Sequence, residues 1–394
     1  MQDRKNITGH FPFIILLILS LLLTGGCWDR RELDERGFIA GFALDKGKQS
    51  NQIMATAQII DPSQVASGKN SKGGGKPFFL VSSEGPTIFY VIRHLNQYSS
   101  RKLTYDHNQV FIFGEDLAVQ GINKYLDLFM RDTEIRKNNL VMVAEGKGAE
   151  ILKITTPLSP IPALYIDKLI KEDIISNSET MATTFIDFSQ RVMSRSTAPV
   201  ASLISIRTGG TEKKLHISGM AVFNRELKMV GKLNGTETRG LLWVLGKVQS
   251  GIILIKPGKC NNSYSMEITK ASSKIIPRLE NGTPQITVKI SISSNLGEAG
   301  CPDDLLQSAI WSTMEKQQTQ AIRREILMAL NRAQALNADI FGFGDAFYKK
   351  YPSQWRQIGP HWQEIFPELK VDVVVESKVE SPSLTVKAFT GKGG

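Results

Sequence analysis

The sequence predicts an α+β protein, in which three mixed α/β domains with largely antiparallel sheets follow an N-terminal export signal. The first observation is size and composition: 394 residues, of which 41% are hydrophobic and 22% charged, suit two or three globular domains. The second is a series of short β-rich runs, bounded by turn residues, between residues 37 and 293. The third is one long stripe of apolar residues at helical spacing near the C terminus.

Residues 1–26 are predicted to be a lipoprotein signal peptide. Arg4 and Lys5 precede an uncharged apolar run over residues 11–23, which has the length of a signal-peptide core. The run leads through small residues into Cys27 and resembles a bacterial lipobox, although Thr24 stands where leucine is usual. An uncleaved signal anchor is the less favoured alternative, because so short a run barely crosses a bilayer. We therefore predict that Cys27 is diacylated and anchors the mature protein to the lipid bilayer.

The first predicted domain, residues 27–205, alternates strands and helices. The β-rich runs at 37–45 and 52–60 are separated by a polar turn and predict a hairpin. The other predicted elements are helices near residues 86–98, 121–131, 160–176 and 181–194, with strands at 110–113 and 139–145. A polar stretch at 207–214, which contains Gly209 and Gly210, predicts the boundary to the next domain.

The second predicted domain covers residues 206–260. Strands are expected at 217–223, 228–231 and 251–255, with a short helix between the last two. Thr236 is the expected N-cap of that helix, since it precedes the apolar residues Leu241, Leu242 and Trp243.

The third predicted domain, residues 261–394, contains the long helix, expected at about 303–336. Strands are expected at 263–269, 274–279, 285–293 and 371–379, and Asn281-Gly282 is a strong hairpin signal between the second and third. Trp355, Trp362 and Phe366 predict a small aromatic core; an exposed partner-binding patch is the alternative.

Charge and residue chemistry exclude several classes of function. Removal of Asp3, Arg4 and Lys5 with the signal peptide lowers the formal charge from +10 to +9, which favours anionic lipid or an acidic partner. Nucleic acid is not expected, because the basic residues are dispersed.

No metal, cofactor or catalytic residue is predicted. The sequence lacks the motifs of catalytic triads, and metal-ligand spacing is absent around four histidines, His94, His107, His216 and His361. Cys260 and Cys301 leave a disulfide open.

Several segments, in order along nearly the whole mature chain, resemble the Ger(x)C spore-germination lipoproteins, the C subunits of nutrient germinant receptors. They begin with the sequence CWDRREL at 27–33 and continue through residues 108–118, 131–139, 219–223 and 237–243. The C-terminal ones are ADIFGFG at 338–344, the Tyr351-Pro352 pair, Trp355 and residues 362–367.

The resemblance implies a non-enzymatic protein that works with two integral membrane subunits, at the outer face of the inner spore membrane. It favours a docking role for Trp28, Asp29, Arg30 and Arg31, which would otherwise be a solvated linker next to the anchor. The rival hypothesis is a stand-alone ligand-binding lipoprotein that feeds a transporter, for which two similar lobes around a cleft are expected.

Overall fold

The computed structural model describes residues 35–49, 51–66, 76–131, 135–210, 212–256, 262–300 and 308–381. The predicted signal peptide, the lipidation site Cys27 and the docking residues Trp28, Asp29, Arg30 and Arg31 lie outside these ranges. Cys260, Cys301 and the C-terminal tail lie outside them as well.

Nine strands form the first sheet. They are β1 (Arg36–Lys46), β2 (Ile53–Ile60), β3 (Phe78–Gly85), β4 (Lys102–Thr104), β5 (Val110–Gly114), β6 (Leu140–Ala144), β7 (Val200–Gly209), β8 (Glu212–Phe223) and β9 (Met229–Leu233). Their order is β3-β2-β1-β5-β6-β7-β8-β9, and β4 pairs with the beginning of β1.

The middle of this sheet is parallel and its two ends are antiparallel. Strands β1, β5, β6 and β7 run in one direction, whereas β2–β3 at one end and β8–β9 at the other alternate. Strands β5 and β6 are buried at every residue, as expected when helices cover both faces of a parallel sheet. The predicted hairpin of β1 and β2 is confirmed.

Short helices flank this sheet and carry its connections. They are α1 (Pro62–Ala66), α2 (Ile88–Leu95), α3 (Glu115–Gln120), α4 (Asn123–Arg131), α5 (Gly148–Ile151), α6 (Pro162–Ser176) and α7 (Phe185–Met193), with a 3-10 turn at Asn96–Tyr98. Thr184 begins α7 with a capping box, in which its hydroxyl accepts from the Asp187 amide. The apolar faces of these helices form two cores, one on each side of the sheet.

The polar stretch at 207–214, which was predicted to be a domain boundary, lies in a hairpin. Strand β7 continues to Gly209, and β8 begins at Glu212 and pairs with it from the turn onwards. Backbone hydrogen bonds hold the two strands together here, although their side chains are exposed. Because these side chains are polar, the sequence pattern does not reveal the strands. Strands β8 and β9 thereby extend the first sheet across residue 205. The division into three domains stays a prediction.

The second sheet has the order β10-β11-β12-β13. Its strands are β10 (Ile252–Ile255), β11 (Tyr264–Glu280), β12 (Thr283–Glu298) and β13 (Lys370–Ser381), and β13 is parallel to β12. Where two strands were expected at 263–269 and 274–279, β11 is continuous, because a register shift between Ile268 and Lys270 lets pairing with β12 continue. The Asn281-Gly282 turn joins β11 and β12 as predicted.

Helices pack against one face of the second sheet. They are α8 (Gly235–Leu245), α9 (Ser308–Ala335), α10 (Phe343–Lys350), α11 (Pro352–Ile358) and α12 (Trp362–Ile365), with 3-10 turns at Gly359–His361 and Phe366–Glu368. Asn234, two residues before Thr236, is the N-cap of α8, because its side chain and Glu237 form a capping box; the prediction of Thr236 is wrong. Residues 303–307 of the predicted long helix lie outside the described part.

The predicted aromatic core is confirmed, and the alternative of an exposed aromatic patch is wrong. Trp355, Trp362 and Phe366 are all buried, and the two indole rings lie 5.4 Å apart. They belong to one core that also includes buried residues of β11, β12, α8 and α9. The α+β class is therefore confirmed, with mixed sheets. Among the described helices, none is both long and apolar enough to cross a membrane.

Candidate functional site

The turn between α9 and α10 is organised by one buried carboxylate, that of Asp339. It accepts hydrogen bonds from the backbone amides of Gly342, Phe343 and Gly344 at 2.9–3.0 Å, and from Nε1 of Trp362 at 3.1 Å. Burial raises the pKa of Asp339 to about 6, although these four bonds favour the charged form and lower it. Asp339 and the two glycines belong to the segment ADIFGFG at 338–344, and the structure places them together with Trp362.

The two glycines of this turn are needed for different structural reasons. Gly342 has φ 75°, a left-handed conformation that glycine adopts without strain. Gly344 leaves room for the segment that follows α7, since a Cβ at this position would lie 2.5 Å from the Cβ and Oγ of Ser196. The turn thus packs directly against the part of the chain that leads into β7 of the first sheet.

Hydrogen bonds fix this contact, which we call the joint; it comprises residues 191–198 and 339–345. The Asp345 carboxylate accepts from the hydroxyls of Ser194 at 2.5 Å, Thr197 at 2.7 Å and Ser196 at 3.3 Å. The Ala198 amide donates to the Asp339 carbonyl at 2.8 Å. Because Ser194, Ser196 and Thr197 precede β7 and Asp345 lies in α10, the joint connects the two sheets.

Arg191, at the end of α7, completes the joint. Its Nη1 donates to the carbonyl oxygens of Ala198 at 3.1 Å and Ile340 at 2.9 Å. Burial lowers the pKa of Arg191, while the nearby carboxylates of Asp339, Asp187 and Asp345 oppose that shift. No local pattern in the sequence marks Arg191 or Asp345, because the partners that connect them across the joint are about 150 residues away.

A second connection lies between α8 and α9. Nε of Arg239 donates to Oε2 of Glu325 at 2.9 Å, Nη2 donates to Oε1, and Nε1 of Trp243 donates to Oε2 at 2.8 Å. Burial by itself lowers the pKa of Arg239. The hydrogen bonds and the charge of Glu325 raise it by more, so the pKa of Arg239 is raised. Because α8 links β9 of the first sheet to β10 of the second, this ion pair braces the covalent connection between them.

The chemistry of these groups is structural. In the joint, serine and threonine hydroxyls donate hydrogen bonds to the Asp345 carboxylate. The joint contains no histidine that could act as the general base for a nucleophilic serine. A cavity of about 220 Å³ beside it is lined by Asp187, Arg191, Lys247 and Asp345, whose charges balance one another. In the described ranges, no three His, Cys, Asp or Glu side chains are grouped so that they could hold a metal ion. The arrangement connects the two sheets through hydrogen bonds and an ion pair.

The charged segment after α4, residues 131–136, is only partly described. Arg131 pairs with Asp127 at 2.8 Å on the exposed face of the helix, and Asp132 and Glu134 lie outside the described residues. The lipidation site Cys27 and the docking residues Trp28 to Arg31 also lie outside them, so both stay predictions.

Two family descriptions match the chain and together cover most of it. Residues 29–206 match "Spore germination protein N-terminal domain", and residues 218–383 match "Spore germination B3/ GerAC like, C-terminal". The interval between them, 207–217, includes the β7–β8 turn.

Individual proteins are similar over nearly their full length. The chain is 29% identical to spore germination protein KC of Bacillus subtilis (strain 168) over 388 residues, which cover 94% of this chain and 95% of that protein. It is 26% identical to spore germination protein B3 of the same organism, with 94% of this chain and 97% of that protein covered. A solved structure, the crystal structure of the GerBC protein, superposes with a TM-score of 0.56 at 21% sequence identity, and covers 89% of this chain and 99% of that one. The fold, the order of the matched domains and the length of the similarity agree: the chain belongs to the Ger(x)C family of spore germination proteins.

Proposed function

We propose that this protein is a lipid-anchored, non-enzymatic subunit of a spore nutrient germinant receptor. In this proposal it docks onto two integral membrane subunits at the outer face of the inner spore membrane and is needed for nutrient-triggered germination. The observation that carries the proposal is the family relationship over both matched regions, residues 29–206 and 218–383.

The anchor supports a role beside membrane subunits. The residues before Cys27 have the pattern of a lipobox, and two acyl chains give stable attachment where one would be marginal. Attachment raises the effective concentration of the protein at the bilayer, so contacts too weak to form in solution can form there. Trp28, Asp29, Arg30 and Arg31 follow the anchor directly and are proposed to make the first of these contacts.

The two connections between the sheets support a role in transmission rather than in ligand closure. The rival, a ligand-binding lipoprotein that feeds a transporter, is expected to have two similar lobes around a cleft. Here the nine-stranded and four-stranded sheets differ in size and strand order, and the joint and the Arg239–Glu325 pair tie them together. Hydrogen bonds at two places therefore connect one sheet to the other.

The test compares spores that carry the wild-type chain with spores that lack it or carry Cys27→Ala. We expect both altered strains to lose solute release triggered by one class of nutrient, and to germinate normally with agents that bypass the receptors. Thr208→Ala, at an exposed position of β7, is the control, because it leaves the lipobox and all three cysteines unchanged.

Uptake of the same labelled nutrient is measured in parallel. If uptake falls while triggered release stays intact, the receptor proposal is wrong and the transporter-feeding lipoprotein is the better account. Affinity capture of the membrane-bound protein then identifies which polytopic proteins accompany it.

A further inference from the structure

A cleft of about 570 Å³ opens beside the joint and is lined by arginine, aromatic, proline and glycine residues. We call it the arginine cleft, and its lining residues are Arg195, Arg356, Tyr348, Trp355, Pro352, Pro360 and Gly359. Arg195 belongs to the segment that precedes β7, whereas the other six lie in α10, in α11 and in the 3-10 turn that follows α11. The cleft is therefore shared between the chain that leads into the first sheet and the helices that pack on the second.

The two arginines of the cleft have no acidic partner. Arg195 and Arg356 are exposed, and within the described ranges neither takes part in an ion pair or donates a hydrogen bond, whereas Arg239 pairs with a carboxylate. The Arg195 guanidinium lies 4.2 Å from the centre of the Tyr348 ring, so it is held against one wall of the cleft. None of the described lining residues is acidic, and the positive charge is therefore not balanced within the cleft.

The indole of Trp355 adds a third donor that has no acceptor. Trp355 is only 6% exposed, and within the described part of the chain its Nε1 donates to no acceptor, whereas the indole N–H groups of Trp243 and Trp362 donate to carboxylates. A Cβ placed on Gly359 would lie 2.7 Å from Nε1 of Trp355, so the N–H edge of the indole faces a residue that lines the cleft. Buried N–H groups normally have an acceptor, and here the cleft is where one can enter.

The chemistry of these groups selects a carboxylate. Guanidinium and indole groups donate hydrogen bonds and cannot accept them, so a ligand must bring acceptors. Arginine forms strong bidentate hydrogen bonds with carboxylates, which also supply the opposite charge. The ring of Tyr348 and the two prolines, Pro352 and Pro360, offer apolar surface for the atoms next to the carboxylate.

An extended polypeptide segment suits the arginine cleft better than a small molecule does. Sites for small molecules usually bury most of the surface of the ligand, whereas both arginines of this cleft are exposed. Arg195 and Arg356 come from distant parts of the chain, so two carboxylates along one segment can each meet an arginine. The formal charge of the chain, +10, also favours an acidic partner.

We infer that the arginine cleft binds an acidic segment of a partner polypeptide, whose carboxylates pair with Arg195 and Arg356 and whose acceptor atoms meet Nε1 of Trp355. This inference goes beyond the proposed function, because it depends neither on the lipid anchor nor on germination. Arg195 lies in the joint, and Tyr348 lies on the helix that carries Asp345. A segment bound in the cleft therefore contacts both sides of the joint.

The experiment uses the full chain, purified from membranes in a non-ionic detergent. The probe is capped hexaglutamate, which is compared with capped hexaglutamine, glutarate and inorganic phosphate. All titrations are made at the same low ionic strength, because salt screens exposed charges. Affinity is measured by calorimetry, and the indole N–H resonances are followed in a chain that contains isotope-labelled tryptophan.

We expect hexaglutamate to bind, and hexaglutamine, glutarate and phosphate to bind much more weakly. An exposed charge pair contributes up to about fivefold in affinity, so Arg195→Gln with Arg356→Gln is expected to weaken hexaglutamate binding by about tenfold or more. Arg93→Gln with Arg101→Gln is the matched control and is expected to change the affinity by less than about twofold. Both of these arginines are exposed and outside any ion pair of the described residues, and Arg93 also lies over an aromatic ring, at 5.0 Å.

The tryptophan resonances show where the peptide binds. The indole N–H resonance of Trp355, assigned from its loss in Trp355→Phe, is expected to shift during the titration with hexaglutamate. Those of Trp243 and Trp362 are internal controls and are expected to stay in place, because their N–H groups already donate to Glu325 and Asp339.

Four results would overturn the inference. An equal loss of affinity in the two double variants would indicate diffuse attraction to a basic surface. Binding of hexaglutamate that leaves the Trp355 resonance unchanged would place the peptide elsewhere. Glutarate or phosphate that binds as tightly as hexaglutamate would assign the cleft to a small anion. Absence of hexaglutamate binding to the wild-type chain would exclude an acidic segment as the occupant.

Discussion

Replacing the buried ion pair between α8 and α9 tests how firmly the connection between the sheets is built. The side chains of Arg239 and Glu325 are only 13% and 10% exposed, and Glu325 also accepts from Trp243. Glu325→Leu leaves the Arg239 charge buried without its carboxylate, which costs about 3–5 kcal/mol. Arg239→Met leaves Glu325 with Trp243 alone, and we expect a cost of similar size because a buried charge again loses its partner.

The double variant, Arg239→Met with Glu325→Leu, is expected to be much less destabilised than the sum of the two single variants. It removes both buried charges and leaves the Trp243 N–H as the unpaired group, which costs about 1–3 kcal/mol. The coupling energy is therefore expected to be at least about 2 kcal/mol in favour of the pair.

The assay is urea unfolding of the chain from Trp28 onwards, followed by tryptophan fluorescence and circular dichroism. Glu150→Leu and Lys153→Met form the matched control cycle, because that pair is 51% and 53% exposed and is expected to couple by less than about 0.5 kcal/mol. If the destabilisation of the double variant equals the sum for the two single variants, as expected for the exposed pair, the buried ion pair contributes no coupling energy and the reasoning fails.

Four further predictions follow from the same structure and sequence. Cys27→Ala is expected to accumulate as an unprocessed or mislocalised precursor; protein of normal size that is firmly membrane-bound in that variant, without bound lipid in the wild type, would contradict this. The chain from Trp28 onwards is expected to melt cooperatively in a chelator, whereas unfolding caused by chelation would reveal a metal site. Gly344→Ala is expected to cost about 1–3 kcal/mol, because its Cβ meets Ser196 at 2.5 Å, and Gly209→Ala, whose Cβ has open space, less than about 0.5 kcal/mol in the same urea assay. The folded-state pKa of Asp339, about 6, lies above its ordinary value, so its contribution to stability is full below about pH 4 and is lost as pH rises through about 6. The stability advantage over Asp339→Asn is expected to shrink by about 2 kcal/mol between pH 4 and pH 7, and a constant difference would contradict this.

The sequence predicted those features that depend on neighbours close in the chain. The β1–β2 hairpin, the Asn281-Gly282 turn and the body of α9 were correctly placed, because turn chemistry and apolar periodicity act over a few residues. The aromatic core of Trp355, Trp362 and Phe366 was also predicted, since large rings near a tight turn are usually buried. The family was likewise identified from short segments in a fixed order.

Only the tertiary structure decided which distant strands pair and which charges meet. The parallel order of β1, β5, β6 and β7 depends on burial of both sheet faces by helices from elsewhere in the chain, and no local pattern encodes it. Arg191 and Ile340 meet across 149 residues, and Arg239 and Glu325 across 86. Before the fold is known, Arg191, Arg239 and Glu325 are ordinary charged residues in helices. Their role arises because burial removes water, and a group without water must find its partner within the protein.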